Sequence, residues 1–340
     1  MDVFKEYLLK IENKLLENWQ KFSNQLPLYL YSAYHMGWID EYGNLLLEGK
    51  GGKRLRPLFC VIVNQAFNGP LDDALNIACS LEFLHNFSLV HDDIQDEDVK
   101  RHNRWTVWKL WGIPQAINVG DSLFNLTFQV LTQLSSPTLL SVSLKEITNA
   151  IQELIEGQYM DISFEKRLDV SLKEYMDMIE KKTARLFAVS FYLGSFSANY
   201  KDDLSRKFFN IGKNFGIFFQ IVDDILGIWG DPDKTGKPIL SDLWKKKKTF
   251  PIILLTQEAS EKEKRKIDEF WRKPVLSDQD VYYILELLEK KGIKFASFNT
   301  AEKYFQKAYK ELEEFKDLID ISLIKNLFAN YYNLIDSLQR

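Results

Sequence analysis

Glycine and proline are scarce in this chain, whose 340 residues include 16 Gly and 9 Pro. Such a composition disfavours a fold built from many strands and tight turns. No run of about 18 apolar residues is present to span a bilayer, and the first residues lack the pattern of a signal peptide. We therefore expect a cytoplasmic protein without a membrane span.

Cysteine is also scarce, and neither sign of charge dominates. Cys60 and Cys79 both lie in apolar segments, so we expect buried, reduced thiols rather than a disulfide framework. The net charge of −4 and the pI of about 5.8 provide no general attraction to nucleic acid or to an anionic membrane. An anionic ligand must then be held by local basic clusters.

Aromatic residues are abundant, with 24 Phe, 15 Tyr and 8 Trp, which disfavours disorder. Apolar residues recur at the three- and four-residue spacing of helices from the opening segment, residues 2–22, to the last, residues 323–338. No series of candidate strands and no low-complexity linker interrupts the pattern. The sequence predicts an all-α fold, a single-domain bundle of long helices over residues 1–340 around a central apolar cavity.

A dense group of acidic residues follows one apolar helical segment. Its members are Asp92, Asp93, Asp96, Glu97 and Asp98. On a helical wheel at about 100° per residue, the first and third aspartates share one face with His85 and Ser88, and the second lies beside that face. Carboxylates at this density need a positive partner, and the pattern predicts a divalent metal such as Mg²⁺.

A second pair of carboxylates, Asp223 and Asp224, lies near the end of another apolar segment, with Gln220 one turn earlier. If the two acidic groups face each other across a cavity, they can hold Mg²⁺ ions together with the phosphate oxygens of a substrate. An apolar lining beside such a site suits a diphosphate ester of a hydrocarbon and excludes water from a carbocation.

Basic residues form two separate sets. The first follows the glycines at residues 49–52 and consists of Lys53, Arg54 and Arg56, an arrangement that suits phosphate, although a solvated basic turn is the alternative. The second set is Lys182, Lys237 and the run Lys245 to Lys248. Two sets indicate two anionic substrates. If one of them is an allylic diphosphate, it can ionise to a cation that the double bond of the other attacks.

Five motifs follow one another in a specific order. They are GGKRLRP (51–57), HDDIQDED (91–98) followed by Arg101, Lys182-Thr183, FQIVDD (219–224), and GDPDKTGKP through KKKKTFP (230–251). This series resembles the trans-prenyl diphosphate synthases, or polyprenyl synthetases, over about residues 30–255. The resemblance implies an isoprenoid synthase fold, a homodimer, and Mg²⁺-assisted head-to-tail condensation of isopentenyl diphosphate with an allylic diphosphate.

The resemblance also implies roles for individual residues. By motif position, the metal ligands are Asp92, Asp93, Asp96, Asp223 and Asp224, which with Lys182 are the implied catalytic residues. The implied contacts to isopentenyl diphosphate are Lys53, Arg56, His85 and His102. The implied contacts to the allylic diphosphate are Arg101, Lys182, Thr183, Gln220, Lys237 and Lys247.

The resemblance also implies how long the product grows. The pair Phe87 and Ser88, just before the first aspartate motif, is an aromatic-then-small arrangement similar to that of archaeal geranylgeranyl diphosphate synthases. The expected product is therefore geranylgeranyl diphosphate. The helical wheel places Ser88 on the aspartate face and Phe87 away from it, so the role of Phe87 depends on the resemblance.

Two positions depart from the family pattern. The family often has Arg-Arg-Gly after the first aspartate motif, whereas His102 and Asn103 follow Arg101 here, and a histidine is a weaker, pH-dependent donor. The second motif often has a third Asp where this chain has Gly227, for which Asp231 or Asp242 could compensate.

Three alternative functions stay open on the sequence: a farnesyl or longer-chain diphosphate synthase, a class I terpene cyclase, and a non-catalytic subunit of a heteromeric synthase. The implied isopentenyl diphosphate residues disfavour a cyclase, and the five aspartates disfavour a non-catalytic subunit. The cluster Trp105, Trp108 and Trp111 is predicted to lie in the core or at a dimer surface, and His35 and His91 are predicted to pack.

Overall fold

Helices form nearly all of the regular structure in this computed structural model, which describes residues 3–46, 51–230 and 240–339. The helices are α1 (Val3–Phe22), α2 (Pro27–His35), α3 (Leu55–Ala66), α4 (Leu71–Gln95), α5 (Val107–Trp111), α6 (Ile113–Leu131), α7 (Pro137–Glu165), α8 (Leu172–Ile179), α9 (Arg185–Asn199), α10 (Asp202–Trp229), α11 (Ser241–Trp244), α12 (Phe250–Glu258), α13 (Glu261–Arg272), α14 (Asp278–Lys290), α15 (Ile293–Glu313) and α16 (Ser322–Gln339). The predicted all-α fold class is confirmed.

The described chain forms two compact units. The first contains Met1–Asn149 and Val189–Arg206, and the second contains Ala150–Ala188 and Lys207–Arg340. We refer to them as unit 1 and unit 2. The single domain predicted for residues 1–340 stays a prediction.

Unit 1 is built around α4, which packs against α1, α3, α5 and α6. Its side chains are buried on all faces from Asp73 to Leu84, as expected for a helix packed on every side. A glycine at residue 194 lets α9 approach α3, because a Cβ atom there would lie 2.4 Å from the carbonyl oxygen of Cys60. Cys60 and Cys79 are buried and unpaired, as predicted.

A short hairpin follows α4 and was not predicted from the sequence. Strands β1 (Lys100–Arg101) and β2 (Arg104–Trp105) pair in antiparallel register. The two residues between them, His102 and Asn103, both have positive φ angles, of 49° and 61°. Two such residues make the type I′ turn that matches the twist of a two-residue hairpin. Strands of two residues leave no alternating apolar pattern, so periodicity could not predict them.

The tryptophan cluster fastens this hairpin within unit 1. The Trp108 indole donates a hydrogen bond to the carbonyl oxygen of Asp98 at 2.9 Å. Trp111 stacks on Tyr31 with ring centroids 4.2 Å apart. Trp105 is 44% exposed and lies under the ammonium group of Lys100. Trp108 and Trp111 are partly buried and none of the three belongs to the fully buried core, so the dimer surface stays a prediction.

Unit 2 contains a π-helical turn, Glu180–Ala184, between α8 and α9. Ser171 caps α8, and its hydroxyl and the Glu174 carboxylate form a reciprocal capping box. The core of this unit packs α12 against α8, α14 and α15. Within the described residues, no helix combines the length and the apolar character needed to cross a membrane.

Candidate active site

The aspartates of the first motif lie at the C-terminal end of α4 in two different environments. Asp92 and Asp96 are partly exposed and one helical turn apart, on the face that also carries His85 and Ser88. Asp93, by contrast, is only 2% exposed. The predicted face of α4 is therefore present, and Asp93, which lies beside that face, is buried in the protein.

Asp93 holds the side chain of Arg101. The arginine Nε donates to Oδ1 of Asp93 at 2.8 Å, and its Nη2 lies 2.8 Å from the same oxygen. Burial raises the pKa of Asp93 to about 6, and the adjacent Arg101 opposes that rise. The guanidinium predicted to contact the allylic diphosphate is thus oriented by an aspartate of the motif.

Arg56 and His85, both predicted to bind isopentenyl diphosphate, lie together in unit 1. Nη1 of Arg56, in the first turn of α3, is 3.1 Å from Nε2 of His85 on α4. Burial, followed by the charge of Arg56, lowers the pKa of His85 well below its usual value, so the ring is neutral and accepts this hydrogen bond. The pair supplies one guanidinium held in place by an imidazole.

Arg54, which the sequence placed in the same basic set, has a structural role instead. Its Nε donates to Glu12 at 2.6 Å and its Nη1 donates to Glu82 at 2.8 Å, while Nη2 donates to the carbonyl oxygen of Met36. The side chain is buried, whereas the neighbouring Lys53 is exposed. The first basic set is therefore reduced to Lys53 and Arg56.

His102 lies at the hairpin tip next to Gly52, whose added Cβ atom would be 3.6 Å from the histidine Nε2. Burial, followed by the charge of Arg101, lowers the pKa of His102, so the imidazole is neutral at pH 7. A small cavity of about 30 Å³ lies between α2, α4 and the hairpin and is lined by His35, Arg101 and His102, among others. His35 packs beside this cavity, as predicted, and its buried Nε2 has no hydrogen-bond partner among the described residues.

Phe87 packs between α4 and α6 rather than on the aspartate face. Its ring centroid lies 4.9 Å from that of Phe124 on α6 and 4.8 Å from that of His91. Ser88 lies on the aspartate face and donates a hydrogen bond to the carbonyl oxygen of His85. The orientation of Phe87 agrees with the helical wheel, and its effect on product length stays a prediction.

Three predicted residues of unit 2 form one hydrogen-bonded chain. Thr183 Oγ1, in the π-helical turn, donates to Oε1 of Gln220 at 2.7 Å. The amide nitrogen of Gln220 donates to Oδ1 of Asp224, one turn later on α10, at 2.9 Å. The structure thus joins a predicted metal ligand to two predicted contacts of the allylic diphosphate.

The other oxygen of Asp224 accepts two further hydrogen bonds. The backbone N–H of Phe250 donates to Oδ2 at 2.8 Å, and the Tyr175 hydroxyl donates to the same atom. Burial raises the pKa of Asp224 above its ordinary value, and these donors oppose the rise. Asp224 therefore caps the first turn of α12, whereas its neighbour Asp223 is partly exposed.

Lys182 forms an ion pair inside unit 2. Its ammonium nitrogen lies 2.5 Å from Oδ2 of Asp161 on α7. The close approach of α7 depends on Gly157, because a Cβ atom there would lie 2.5 Å from the backbone nitrogen of Lys182. The π-helical turn and this glycine together present Lys182 next to a carboxylate.

The structure describes only part of the second set of basic residues. Lys237 lies outside the described residues. Lys247 lies in the connection between α11 and α12, and its backbone N–H donates to the carbonyl oxygen of Asp242 at 2.9 Å. Of the two acidic residues considered as substitutes at Gly227, Asp231 also lies outside the described residues, whereas the carboxylate of Asp242 lies directly against Gly227.

The donor chemistry fits Mg²⁺. Asp92, Asp96 and Asp223 offer carboxylate oxygens from partly exposed positions at or near helix ends. No three His, Cys, Asp or Glu side chains within the described ranges are grouped so that they could hold a metal by themselves. Magnesium commonly uses one or two carboxylates and completes its shell with water and substrate phosphates, so these residues suit it.

Several contacts at the site were missed in the sequence. Tyr175 and the Phe250 amide bind Asp224, and Asp161 binds Lys182. A signal existed for Asp161, because it follows Gly157 by four residues and so lies on the same helix face. Tyr175 carried no signal, since its partner is 49 residues away in the chain.

The fold and these residues define an all-α protein with two aspartate groups and separate cationic side chains for anionic ligands. The polyprenyl synthetase family model matches residues 37–288. The geranylgeranyl diphosphate synthase of Sulfolobus acidocaldarius is 35% identical over 326 residues, which make up 94% of this chain and 95% of that protein. The (2E,6E)-farnesyl diphosphate synthase of Mycobacterium bovis is 39% identical over 264 residues, 76% of this chain and 73% of that protein.

A solved structure agrees with these relatives. The geranylgeranyl pyrophosphate synthetase from Pyrococcus horikoshii matches with a TM-score of 0.81 and 34% identity, covering 91% of this chain and 90% of that one. This chain belongs to the polyprenyl synthetase family and is a prenyltransferase. The resemblance inferred from the five motifs is therefore confirmed.

Proposed function

We propose that this protein condenses isopentenyl diphosphate head-to-tail with an allylic diphosphate. The carbon–oxygen bond of the allylic substrate breaks and diphosphate leaves with the electron pair. The double bond of isopentenyl diphosphate attacks the resulting allylic cation, a carbon–carbon bond forms, and a proton is lost to give a longer allylic diphosphate. The preferred product is geranylgeranyl diphosphate.

One observation carries the proposal: the Arg56–His85 pair lies on the same unit as the aspartate face of α4, with His85 on that face. Asp92 lies two turns after His85 on that helix, at i+7. A guanidinium held by a neutral imidazole is a fixed donor for a phosphate. Carboxylates on one face of α4, and a phosphate-binding cation on α3 that is held by a histidine of that face, suit two diphosphates, one bound through metal and one bound directly.

The carboxylates of Asp92, Asp96 and Asp223 are the groups that would hold Mg²⁺. Bound there, Mg²⁺ supplies positive charge that neutralises the leaving diphosphate. Asp93 and Asp224 are oriented differently, because their oxygens accept hydrogen bonds from Arg101, and from Tyr175, Gln220 and Phe250. Their proposed role is to orient Arg101 in unit 1 and the start of α12 in unit 2.

Cationic side chains contribute in both units. Arg101 and Lys182 are each held by a carboxylate, Asp93 and Asp161 respectively. A diphosphate bearing several negative charges competes for such donors, since charge-assisted bonds to phosphate are strong. Lys247 and the Thr183–Gln220 pair are the further proposed contacts to the allylic diphosphate.

Two rival functions lose support at specific residues. A terpene cyclase ionises one diphosphate and has no use for the Arg56–His85 pair. A non-catalytic subunit has no need of exposed carboxylates such as Asp92 and Asp96. A farnesyl product is the nearer alternative, because the relatives include a farnesyl and a geranylgeranyl diphosphate synthase. The homodimer and the cytoplasmic location stay predictions.

The direct test is a product analysis. The purified protein is incubated with Mg²⁺, isopentenyl diphosphate and farnesyl diphosphate, and the products are separated by chromatography. We expect geranylgeranyl diphosphate. A parallel incubation with geranyl diphosphate in place of farnesyl diphosphate, if it stops at farnesyl diphosphate, would identify the shorter-chain alternative. No elongation of either allylic substrate without a partner protein would refute the catalytic proposal.

The metal assignment is tested by Asp92→Ala, with Glu97→Ala as the matched control on a neighbouring exposed acid. We expect Asp92→Ala to remove most turnover and to weaken Mn²⁺ binding measured by electron paramagnetic resonance, while the helical signal is unchanged. Retained turnover and unchanged Mn²⁺ affinity would refute the role of this aspartate.

A further inference from the structure

The connection that carries Lys247 is attached to Trp271, a residue of α13 that lies about 20 residues beyond the last of the five motifs. The Trp271 indole N–H donates to the carbonyl oxygen of Lys246 at 3.0 Å. The ammonium group of Lys248 lies over the same ring, 4.1 Å from its centroid. Both residues that flank Lys247 therefore contact one tryptophan.

Trp271 is itself rigidly placed. It is 8% exposed and packs against Phe270 with ring centroids 4.7 Å apart. Both rings belong to a hydrophobic cluster of unit 2 that also contains Ile252 of α12 and Leu243 of α11. A tryptophan fixed in this way is a firm anchor, because its rotamer is determined by packing.

The backbone next to Lys247 needs such an anchor. Lys246 has a φ angle of 53°, in the left-handed region that a side chain with a Cβ atom rarely adopts. A residue keeps this conformation only when surrounding contacts determine it. The indole hydrogen bond to its carbonyl oxygen is one such contact, and the bond from the Lys246 ammonium to the carbonyl oxygen of Lys273 is another.

Two backbone hydrogen bonds attach the connection to α10 and α11 as well. The backbone N–H of Phe250 donates to Asp224, and the N–H of Lys247 donates to the carbonyl oxygen of Asp242. Burial lowers the pKa of Lys248 to about 8, opposed by Asp268, which agrees with an ammonium packed on the indole face rather than in bulk water. Lys246 and Lys248, the two neighbours of Lys247, thus both contact Trp271 of α13.

We propose that Trp271 is a positioning residue for Lys247: it fixes the left-handed backbone of the preceding Lys246, and so the position from which Lys247 reaches the allylic diphosphate. The inference rests on the proposed function of Lys247 as a contact of that substrate. Loss of the indole N–H leaves the Lys246 carbonyl without its donor and frees the connection, so Lys247 samples more conformations and binds the diphosphate less well.

The test is a double-mutant cycle on the full-length protein. Trp271→Phe keeps an aromatic face under Lys248 and removes the N–H donor, and Lys247→Met removes the cation. Each single variant is expected to raise the KM for the allylic diphosphate by about ten-fold, the loss of one charge-assisted bond. The KM for isopentenyl diphosphate is expected to stay within about two-fold. The double variant should be no worse than Lys247→Met, because the tryptophan acts through the lysine.

Trp19→Phe is the matched control, since that indole N–H also donates one hydrogen bond, to Ser32 Oγ in unit 1. A second readout is independent of activity: trypsin cleaves after lysine, and mass spectrometry measures the cleavage rate within residues 245–248 of the native protein. We expect faster cleavage in Trp271→Phe and wild-type cleavage in Trp19→Phe.

The outcomes separate the inference from the proposed function. If Lys247→Met leaves the allylic KM unchanged, the proposed role of the lysine is wrong. If Lys247→Met raises this KM and Trp271→Phe does not, or if the two effects are additive, the positioning role of Trp271 is wrong. Unchanged trypsin cleavage in Trp271→Phe would likewise refute the anchoring.

Discussion

The carboxylate of Asp242 occupies the space in which a side chain at residue 227 would lie. A Cβ atom placed on Gly227 would be 1.9 Å from Oδ2 of Asp242 and 2.5 Å from its Cγ, far inside van der Waals contact. Gly227 lies four residues after Asp223 on α10, so its Cβ direction points to nearly the same face as that aspartate. A carboxylate from α11 thus lies where the family's third aspartate side chain of the second motif would begin.

This contact predicts that Gly227→Ala changes the free energy of unfolding in opposite directions with and without the Asp242 side chain. Gly227→Ala should destabilise the protein by about 1–3 kcal/mol, because the new methyl group meets the Asp242 carboxylate. In an Asp242→Ala background the same substitution should stabilise by about 0.5–1 kcal/mol, the usual gain for Ala over Gly in a helix. The free energy of unfolding, measured by urea titration, checks both values. Equal effects in the two backgrounds would contradict the contact.

Substitution of two adjacent basic residues should affect different properties: Arg54 should matter for stability and Lys53 for substrate binding. Arg54→Met should cost about 3–5 kcal/mol of stability, because it leaves the buried Glu82 carboxylate without its cation. Lys53→Met should change stability by less than about 0.5 kcal/mol, as an exposed substitution, and should raise the KM for isopentenyl diphosphate. Urea unfolding and steady-state kinetics measure the two effects. A similar loss of stability in both variants would argue against the assignment.

Stability should fall as the pH decreases below 6.5, in part because of His35. Burial, followed by the charges of Arg101 and Arg54, lowers the pKa of His35 from 6.5 to about 3. Between these values the unfolded chain binds a proton that the folded protein does not, so acid favours unfolding.

The His35→Gln variant should remove up to about 2 kcal/mol of the stability difference between pH 6.5 and pH 5. Urea titrations at the two pH values measure this difference for the variant and for the unchanged protein. An identical pH dependence in both would show that His35 is not the titrating group.

Product length should respond to bulk on α4. Phe87→Ala removes the ring that packs against Phe124, and we expect products longer than geranylgeranyl diphosphate if that ring limits the chain. Ser88→Phe adds bulk on the aspartate face and should shorten the product. Chromatography of the products gives the answer, with Asn125→Ala on an exposed position of α6 as the control. Unchanged product length in Phe87→Ala would refute its role.

Much of the site was predictable because its motifs are local. The stripe of His85, Ser88, Asp92 and Asp96 follows from helical periodicity, and the structure places these residues on one face of α4. The hairpin at His102 was not predictable from periodicity, since two-residue strands have no pattern. The packing of Lys248 on Trp271 was not predictable either, because the two residues are distant in sequence and no local pattern joins them.

The sequence by itself determined the helical fold class, the order of the motifs and the residue types that a diphosphate and Mg²⁺ require, because helix periodicity and motif spacing are properties of short segments. Only the tertiary structure decided which members of each motif are exposed. Asp93 and Arg54 are buried with partners, while Asp92 and Lys53, their neighbours, face outward. Burial and pairing depend on segments distant in sequence, such as Glu82 for Arg54, and no local pattern encodes them.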